Sequence, residues 1–148
     1  MPIEKSAGAI IFRKEKGKIY YLVLHYPPDK RISSSRGHWD YVKGHIEKDE
    51  VIEDTIRREA KEETGIEDLK FVEGFKEWFK YFFRLQDKNI FKIVTFLLAE
   101  ARAKKIKLSH EHLDYKWLPY KKALGQLTFE NAKKVLEKAH KYLMKHKT

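Results

Sequence analysis

Three glutamates on one predicted helix carry the strongest chemical signal in the chain. On a helical wheel drawn from Asp49 to Thr64, Ile52 and Ile56 mark the apolar side, flanked by Val51 and Ala60. Glu59 and Glu63 fall on that same side and Glu62 sits at its edge, whereas Glu53, Asp54, Arg57, Arg58 and Lys61 point elsewhere, as a solvated face should. Carboxylates on a buried stripe cost stability. Glu59 is three and four residues from Glu62 and Glu63, and each such like-charge pair costs a few tenths of a kcal/mol. All three lie in the last turns before Gly65, where the helix dipole repels anions. A divalent cation held by these carboxylates would offset all three penalties. With oxygen ligands and no cysteine in the chain, the ion expected is Mg²⁺ or Mn²⁺. The competing reading is that the side chains reach outward and pair with Lys43 or Arg58.

The distribution of charge sharpens the contrast. The window from Glu47 to Asp68 holds ten acids and four bases, a net of −6, so the rest of the chain carries +16 of an overall +10. A basic body suits an anionic ligand such as a polyphosphate or RNA, and an acidic island within it suits a cation. At 148 residues the chain is the size of one domain, taken here as 1–148. The absence of cysteine excludes disulfides, thiolate metal sites and a cysteine nucleophile. No apolar run reaches the ~20 residues of a membrane span. The opening residues lack the charged-then-apolar form of an export leader, so the expected location is cytoplasmic.

The elements that must position the acids can be read from periodicity and turn chemistry. Ser6–Phe12 and Ile19–Tyr26 read as a hairpin around a Gly-containing turn at 14–18. Residues 27–37 form a loop rich in Pro, Ser and Arg, and 39–42 a short extended piece. Asp49 is the expected N-cap of the acidic helix, and Gly65 closes it. Two β-rich runs, 69–83 and 90–101, are joined by the turn Gln86-Asp87-Lys88-Asn89. A basic loop over 102–112 and a short strand over 115–119 follow. A helix over 128–147 places Phe129, Ala132, Leu136, Ala139 and Leu143 on one buried face. The order strands–helix–strands–helix predicts an α+β or mixed-sheet sandwich.

Gly44, five residues, Glu50, seven residues, then Arg58-Glu59-Ala60-Lys61-Glu62-Glu63-Thr64-Gly65-Ile66 resembles the complete Nudix box, with every defining position filled. The resemblance implies a Nudix-type α/β/α sandwich with a curved mixed sheet. It also implies that Glu59 and Glu63 ligate the metal and that Glu62 is a ligand or helps deprotonate the attacking water. The Gly44 carbonyl completes the site, and Glu50 and Arg58 brace the loop against the helix. The chemistry fits the residue inventory. Phosphoryl-type transfer needs positioning and charge neutralisation more than covalent help, so water is expected to attack one phosphorus in line. Lys43 and nearby bases would hold the non-bridging oxygens.

Further segments resemble asymmetric diadenosine tetraphosphate hydrolases, which yield ATP and AMP. These are His38-Trp39-Asp40-Tyr41-Val42-Lys43-Gly44-His45-Ile46-Glu47, Glu73-Gly74-Phe75-Lys76, Ser109-His110-Glu111-His112, Tyr115-Lys116-Trp117-Leu118 and the closing helix from Thr128. By that resemblance Glu111 lies near the metals and contributes to catalysis, and its neighbours His110 and His112 read as hydrogen-bonded scaffolding. Tyr81 and Phe129 match adenine-stacking positions, His38 belongs to the substrate-facing approach, and Lys92, with Lys80 and Lys88, is a candidate phosphate holder. The expected partner is a small-molecule nucleoside polyphosphate. Two other readings stand beside it: an RNA 5′-pyrophosphohydrolase, which the basic body also suits, and a catalytically silent Nudix domain that senses nucleotides or RNA. The intact set of three glutamates argues against the last.

Overall fold

The computed structural model describes residues 3–28 and 36–146, so most of the predicted 27–37 loop lies outside it. Its first strand, β1 (Ile3–Glu15), is central and buried over eight consecutive residues, which is why the run around Ala9 shows no clean in–out alternation. It pairs antiparallel with β2 (Lys18–Tyr26) and β4 (Val42–His45) and parallel with β6 (Lys88–Glu100). β3 (His38–Asp40) and β7 (Asp114–Leu118) both pair with β2, and β5 (Lys70–Leu85) forms the far edge against β6. The result is one open seven-stranded mixed sheet.

Helices cover both faces. Small residues Ala7, Ala9 and Ala99 let α1 (Ile52–Thr64) approach one face, where Ile56 and Ala60 pack with Leu22, Leu24 and Val42. On the other face α2 (Tyr120–Gln126) and α3 (Glu130–Lys145) cover Ile10, Phe12, Tyr41, Val94 and Leu98 through Ala123, Val135, Leu136 and Ala139. The predicted mixed-sheet sandwich is the observed architecture.

Several local expectations are corrected. Asp49 does not cap α1; it sits at φ 68° in the turn Glu47–Glu50, and Val51 is the N-cap. Val51, placed beside the apolar stripe by the wheel, is therefore outside the helix and exposed. The carboxylate of Asp54 accepts the Val51 N–H at 3.2 Å and does the capping from inside. Phe129 is likewise the N-cap of α3, 46% exposed rather than on its buried face. α2 was not foreseen, because a seven-residue helix with one buried residue leaves no periodic stripe. Gly65 does close α1, at φ 77° with its N–H on Lys61 O at 3.0 Å, a left-handed cap that glycine adopts at least cost. No helix of the described residues is long and apolar enough to cross a membrane.

Candidate metal and nucleotide site

The loop that leads into α1 is folded around one ion pair. Arg58 donates to both oxygens of Glu50, at 2.8 and 3.0 Å, and to the His45 carbonyl at 3.0 Å. Glu50 also accepts the Glu47 N–H at 2.9 Å and the Thr55 hydroxyl at 2.8 Å. Arg58, with these donors behind it, holds the Glu50 carboxyl down at a pKa of about 2. The folded value lies below the unfolded one of 4.5, so the stabilisation is complete above about 4.5 and is lost as pH falls through about 2. Wild type should lose thermal stability more steeply than Glu50→Gln over that window. Parallel melting curves by circular dichroism would remove Glu50 from the brace.

The three glutamates occupy different environments. Glu59 is half-buried and accepts from Arg58 at 2.6 Å. Burial pushes its carboxyl up while Arg58 pulls it down and Glu62 and Glu111 push it up further; the net shift is upward. Glu111 therefore lies within electrostatic reach of α1, although it sits in the loop before β7. Glu62 is exposed, with its carboxylate 3.6 Å from Arg58. Glu63 is 7% exposed. One of its oxygens, Oε1, lies 3.3 Å from the Tyr26 hydroxyl, which donates mainly to the Tyr41 carbonyl. His112 Nε2 is 3.3 Å from the same oxygen, off hydrogen-bond geometry. Ser109 ties the arrangement down: its hydroxyl is 2.9 Å from His112 Nδ1 and its N–H donates to the Glu63 carbonyl at 3.0 Å. Burial pushes the Glu63 carboxyl above its ordinary range, against the pull of His112 and Tyr26.

Two observations test whether a cation fits here. Glu63 Oε2 is buried with no hydrogen-bond partner among the described residues, an arrangement that costs about 1–3 kcal/mol or more unless another group meets it. Gly44 lies directly against the carboxylate of Glu59, so that a Cβ there would collide with Glu59 Cδ and Oε1. Among the described residues no three acidic or imidazole side chains already converge as a ligand shell; Glu59 is turned onto Arg58 and Glu62 onto solvent. A cation would draw on Glu63 Oε2, Glu59 and the backbone beside Gly44, an all-oxygen donor set suited to a hard divalent ion.

The residues expected from the sequence to contact a nucleotide lie around β3, β4, β5 and the start of α3. Lys43 is held by Asp40 at 2.8 Å; burial lowers its pKa, Asp40 more than reverses this, and the ammonium stays charged. Trp39 and Thr128 exchange hydrogen bonds at 2.8 and 3.2 Å, joining β3 to the start of α3. That junction sets His38 against Phe129 at 5.1 Å between ring centroids, with Tyr26 stacked on His38 at 5.0 Å. Tyr81 is half-buried, within electrostatic reach of Asn131 in the first turn of α3 and of Lys43 and Asp40. Lys92 is the cross-strand neighbour of Tyr81 and so shares its face. Lys80 projects from the other face, as strand alternation requires, and Lys88 lies exposed at the β5–β6 turn. His112 is buried and His110 exposed.

The NUDIX-domain family model matches residues 2–139. The chain belongs to the Nudix family. An asymmetrical bis(5′-nucleosyl)-tetraphosphatase of Mus musculus is 33% identical over 94% of this Nudix chain and 95% of its own length. The crystal structure of a C. elegans Ap4A hydrolase binary complex superposes with a TM-score of 0.77 at 30% identity, covering 95% of this chain and 98% of that one. An RNA pyrophosphohydrolase of Nitratiruptor sp. is 32% identical over 67% of this chain and 72% of its own length. Nudix hydrolases use divalent metal ions, and the donor set above suits one.

Tyr26 and Asp40 contact the candidate site residues Glu63 and Lys43, and the sequence did not single them out. Neither has a local signature: Tyr26 is one aromatic among many at a strand end, and Asp40 reaches Lys43 only because the chain bends between β3 and β4. Tyr26→Phe removes the hydroxyl beside Glu63 and should lower kcat/KM about tenfold, the scale expected for a group that orients a metal ligand. Titration of activity with the divalent ion should show the loss partly restored at high metal. A Tyr26→Phe enzyme with lower stability but unchanged kcat/KM would make the contact purely architectural.

Proposed function

We propose that this Nudix hydrolase cleaves a dinucleoside polyphosphate, diadenosine tetraphosphate, to ATP and AMP. The observation that carries the reading is the pair of partly exposed rings Tyr81 and Phe129: Tyr81 lies within electrostatic reach of Asn131 and Lys43, and the Trp39–Thr128 junction holds Phe129 at the same end of α3. A metal site handles phosphates alone, whereas flat rings recognise bases. The similarity to asymmetrical tetraphosphatases over nearly the whole chain points the same way. Mg²⁺ is the ion we assign, with Mn²⁺ as a substitute; when bound it neutralises phosphate oxygens and acidifies water. Glu59 and Glu63 would hold it. Lys43 and Lys92 face the non-bridging oxygens. Water attacks one phosphorus in line, a new P–O bond forms, the bridging P–O bond breaks, and the bridging oxygen departs with the other fragment. Glu62 and Glu111 are exposed and open to take the proton that water loses. A cytoplasmic location agrees with such a substrate.

The deciding experiment is product analysis on dinucleoside polyphosphates, nucleoside triphosphates and triphosphorylated RNA, run on wild type and Tyr81→Ala. Base–aromatic stacking is worth roughly 1–3 kcal/mol, so Tyr81→Ala should lower kcat/KM for diadenosine tetraphosphate about tenfold to a hundredfold and spare inorganic polyphosphate. Equal losses on both substrates would make Tyr81 a sheet residue only. Preference for triphosphorylated RNA would instead assign the RNA 5′-pyrophosphohydrolase activity, which the strongly basic body also suits.

A further inference from the structure

Tyr81 faces inward on β5, and its neighbours on that strand face out. From Lys76 to Arg84 every second residue is exposed: Lys76, Trp78, Lys80, Phe82 and Arg84. An aromatic run on a strand is ordinarily core, yet Trp78 is 55% and Phe82 58% exposed. α1 shares this face of the sheet but stops short of them: its Arg57 lies over Phe71, 4.9 Å from the ring centroid, at the opposite end of β5. Phe82 leans edge-on against Phe91 at 5.1 Å, and the Lys80 ammonium stands 5.7 Å from the Trp78 ring. β5 is also the edge strand, where unpaired backbone groups are open to a partner.

We propose that this edge is a platform for single-stranded nucleic acid, separate from the hydrolytic site. Interleaved rings and cations are what a single strand needs: bases stack on the rings and phosphates meet the ammonium groups. Trp78 and Phe82 are four residues apart, ~13 Å along a strand, far enough to take separate bases. The charge continues round the edge. α3 presents Lys134, Lys138, Lys141 and Lys145 at helical spacing, all exposed. A cleft of about 440 Å³ between α3 and β5 is lined by Lys76, Lys138, Lys141 and Lys145. Two of the nearby acids are engaged, Glu77 by Lys138 at 3.5 Å and Asp87 by Arg84 at 3.8 Å. A second copy docking edge to edge would set lysine against lysine, whereas a polyanion neutralises both rows. The inference stands apart from the identity of the hydrolysed substrate.

The test is fluorescence anisotropy of a labelled 5′-hydroxyl oligouridine, which offers the hydrolytic site no pyrophosphate. Wild type should bind with affinity falling linearly in log salt, and binding should quench tryptophan emission. Trp78→Ala with Phe82→Ala should weaken binding at least tenfold, while diadenosine tetraphosphate hydrolysis stays at the wild-type rate. Trp78→Phe should keep most of the affinity and lose the quench. Lys76→Gln with Lys80→Gln should lower the salt slope by about one to two, and serves if the aromatic variant misfolds. Absence of RNA binding in wild type, or affinity unaltered by both double variants, overturns the proposal. So does a concentration-dependent dimer in light scattering that Trp78→Ala with Phe82→Ala abolishes, which would give the face to a second copy.

Discussion

Glu63→Gln should lose at least a hundredfold in kcat with the divalent ion present, while the protein folds normally. The expected size follows from comparison: groups that merely orient a ligand cost ten- to a hundredfold when removed, and Glu63 offers the ion a carboxylate oxygen with no hydrogen-bond partner among the described residues. The substitution keeps the shape and the Tyr26 contact but removes the charge. Stability should hold or rise slightly, since burial already disfavours the charged form and the like-charge pair with Glu59, worth a few tenths of a kcal/mol, is relieved. Steady-state kinetics with thermal melts measure both effects. Normal turnover would place the metal elsewhere; loss of activity together with a collapse in melting temperature would make Glu63 a folding residue.

The second large effect is expected at Gly44, for a steric reason. Its backbone is not in the left-handed region, so glycine is not required for conformation. It is required for space: a Cβ would occupy the position of the Glu59 carboxylate and lie 2.6 Å from Glu59 Cγ. Gly44→Ala must therefore displace Glu59, break its 2.6 Å contact with Arg58 and move a metal-directed carboxylate. The atoms in the way are the far end of a flexible side chain, so the stability cost is that of the lost Arg58 contact rather than of core overpacking, and activity should drop about a hundredfold. Gly44→Ala combined with Glu59→Asp, which shortens the side chain, should regain stability without regaining full activity. A Gly44→Ala enzyme with wild-type kinetics and melting would show that the loop and helix do not meet as described.

Much of this site is local in sequence and was legible there. Glu59, Glu62 and Glu63 share a helix, so wheel geometry alone set two of them on the sheet-facing side and one at its edge. Glu50 and Arg58 are eight residues apart, and the loop between Gly44 and α1 folds on itself through that pair. The Gly65 cap and the two-strand runs around Gln86-Asp87 follow from single-residue backbone preferences. The start of α1 was misplaced because Asp49 is a good capping residue in isolation; the turn Glu47–Glu50 claims it first, and Asp54 caps the helix from within.

The sequence by itself determined the acidic helix, its charge penalty and the oxygen-only chemistry that offsets it, because each depends on spacing within a few residues. Tertiary structure alone decided which atoms are left for the metal and where a base can stack. Tyr26, His112 and Ser109 come from the end of β2 and the loop before β7, yet converge on Glu63 and leave its Oε2, like His112 Nε2, without a hydrogen-bond partner among the described residues. Phe129 and Tyr81 are 48 residues apart in number and come to the same helix end because the Trp39–Thr128 bond ties β3 to the start of α3 while β5 passes beside Asn131. The sides of β5 were equally ambiguous: alternation separates Tyr81 from Trp78 and Phe82, but only the placement of α1 and α3 decides which set is covered. Contacts between distant segments are fixed by packing of the whole sheet, and no local propensity encodes them.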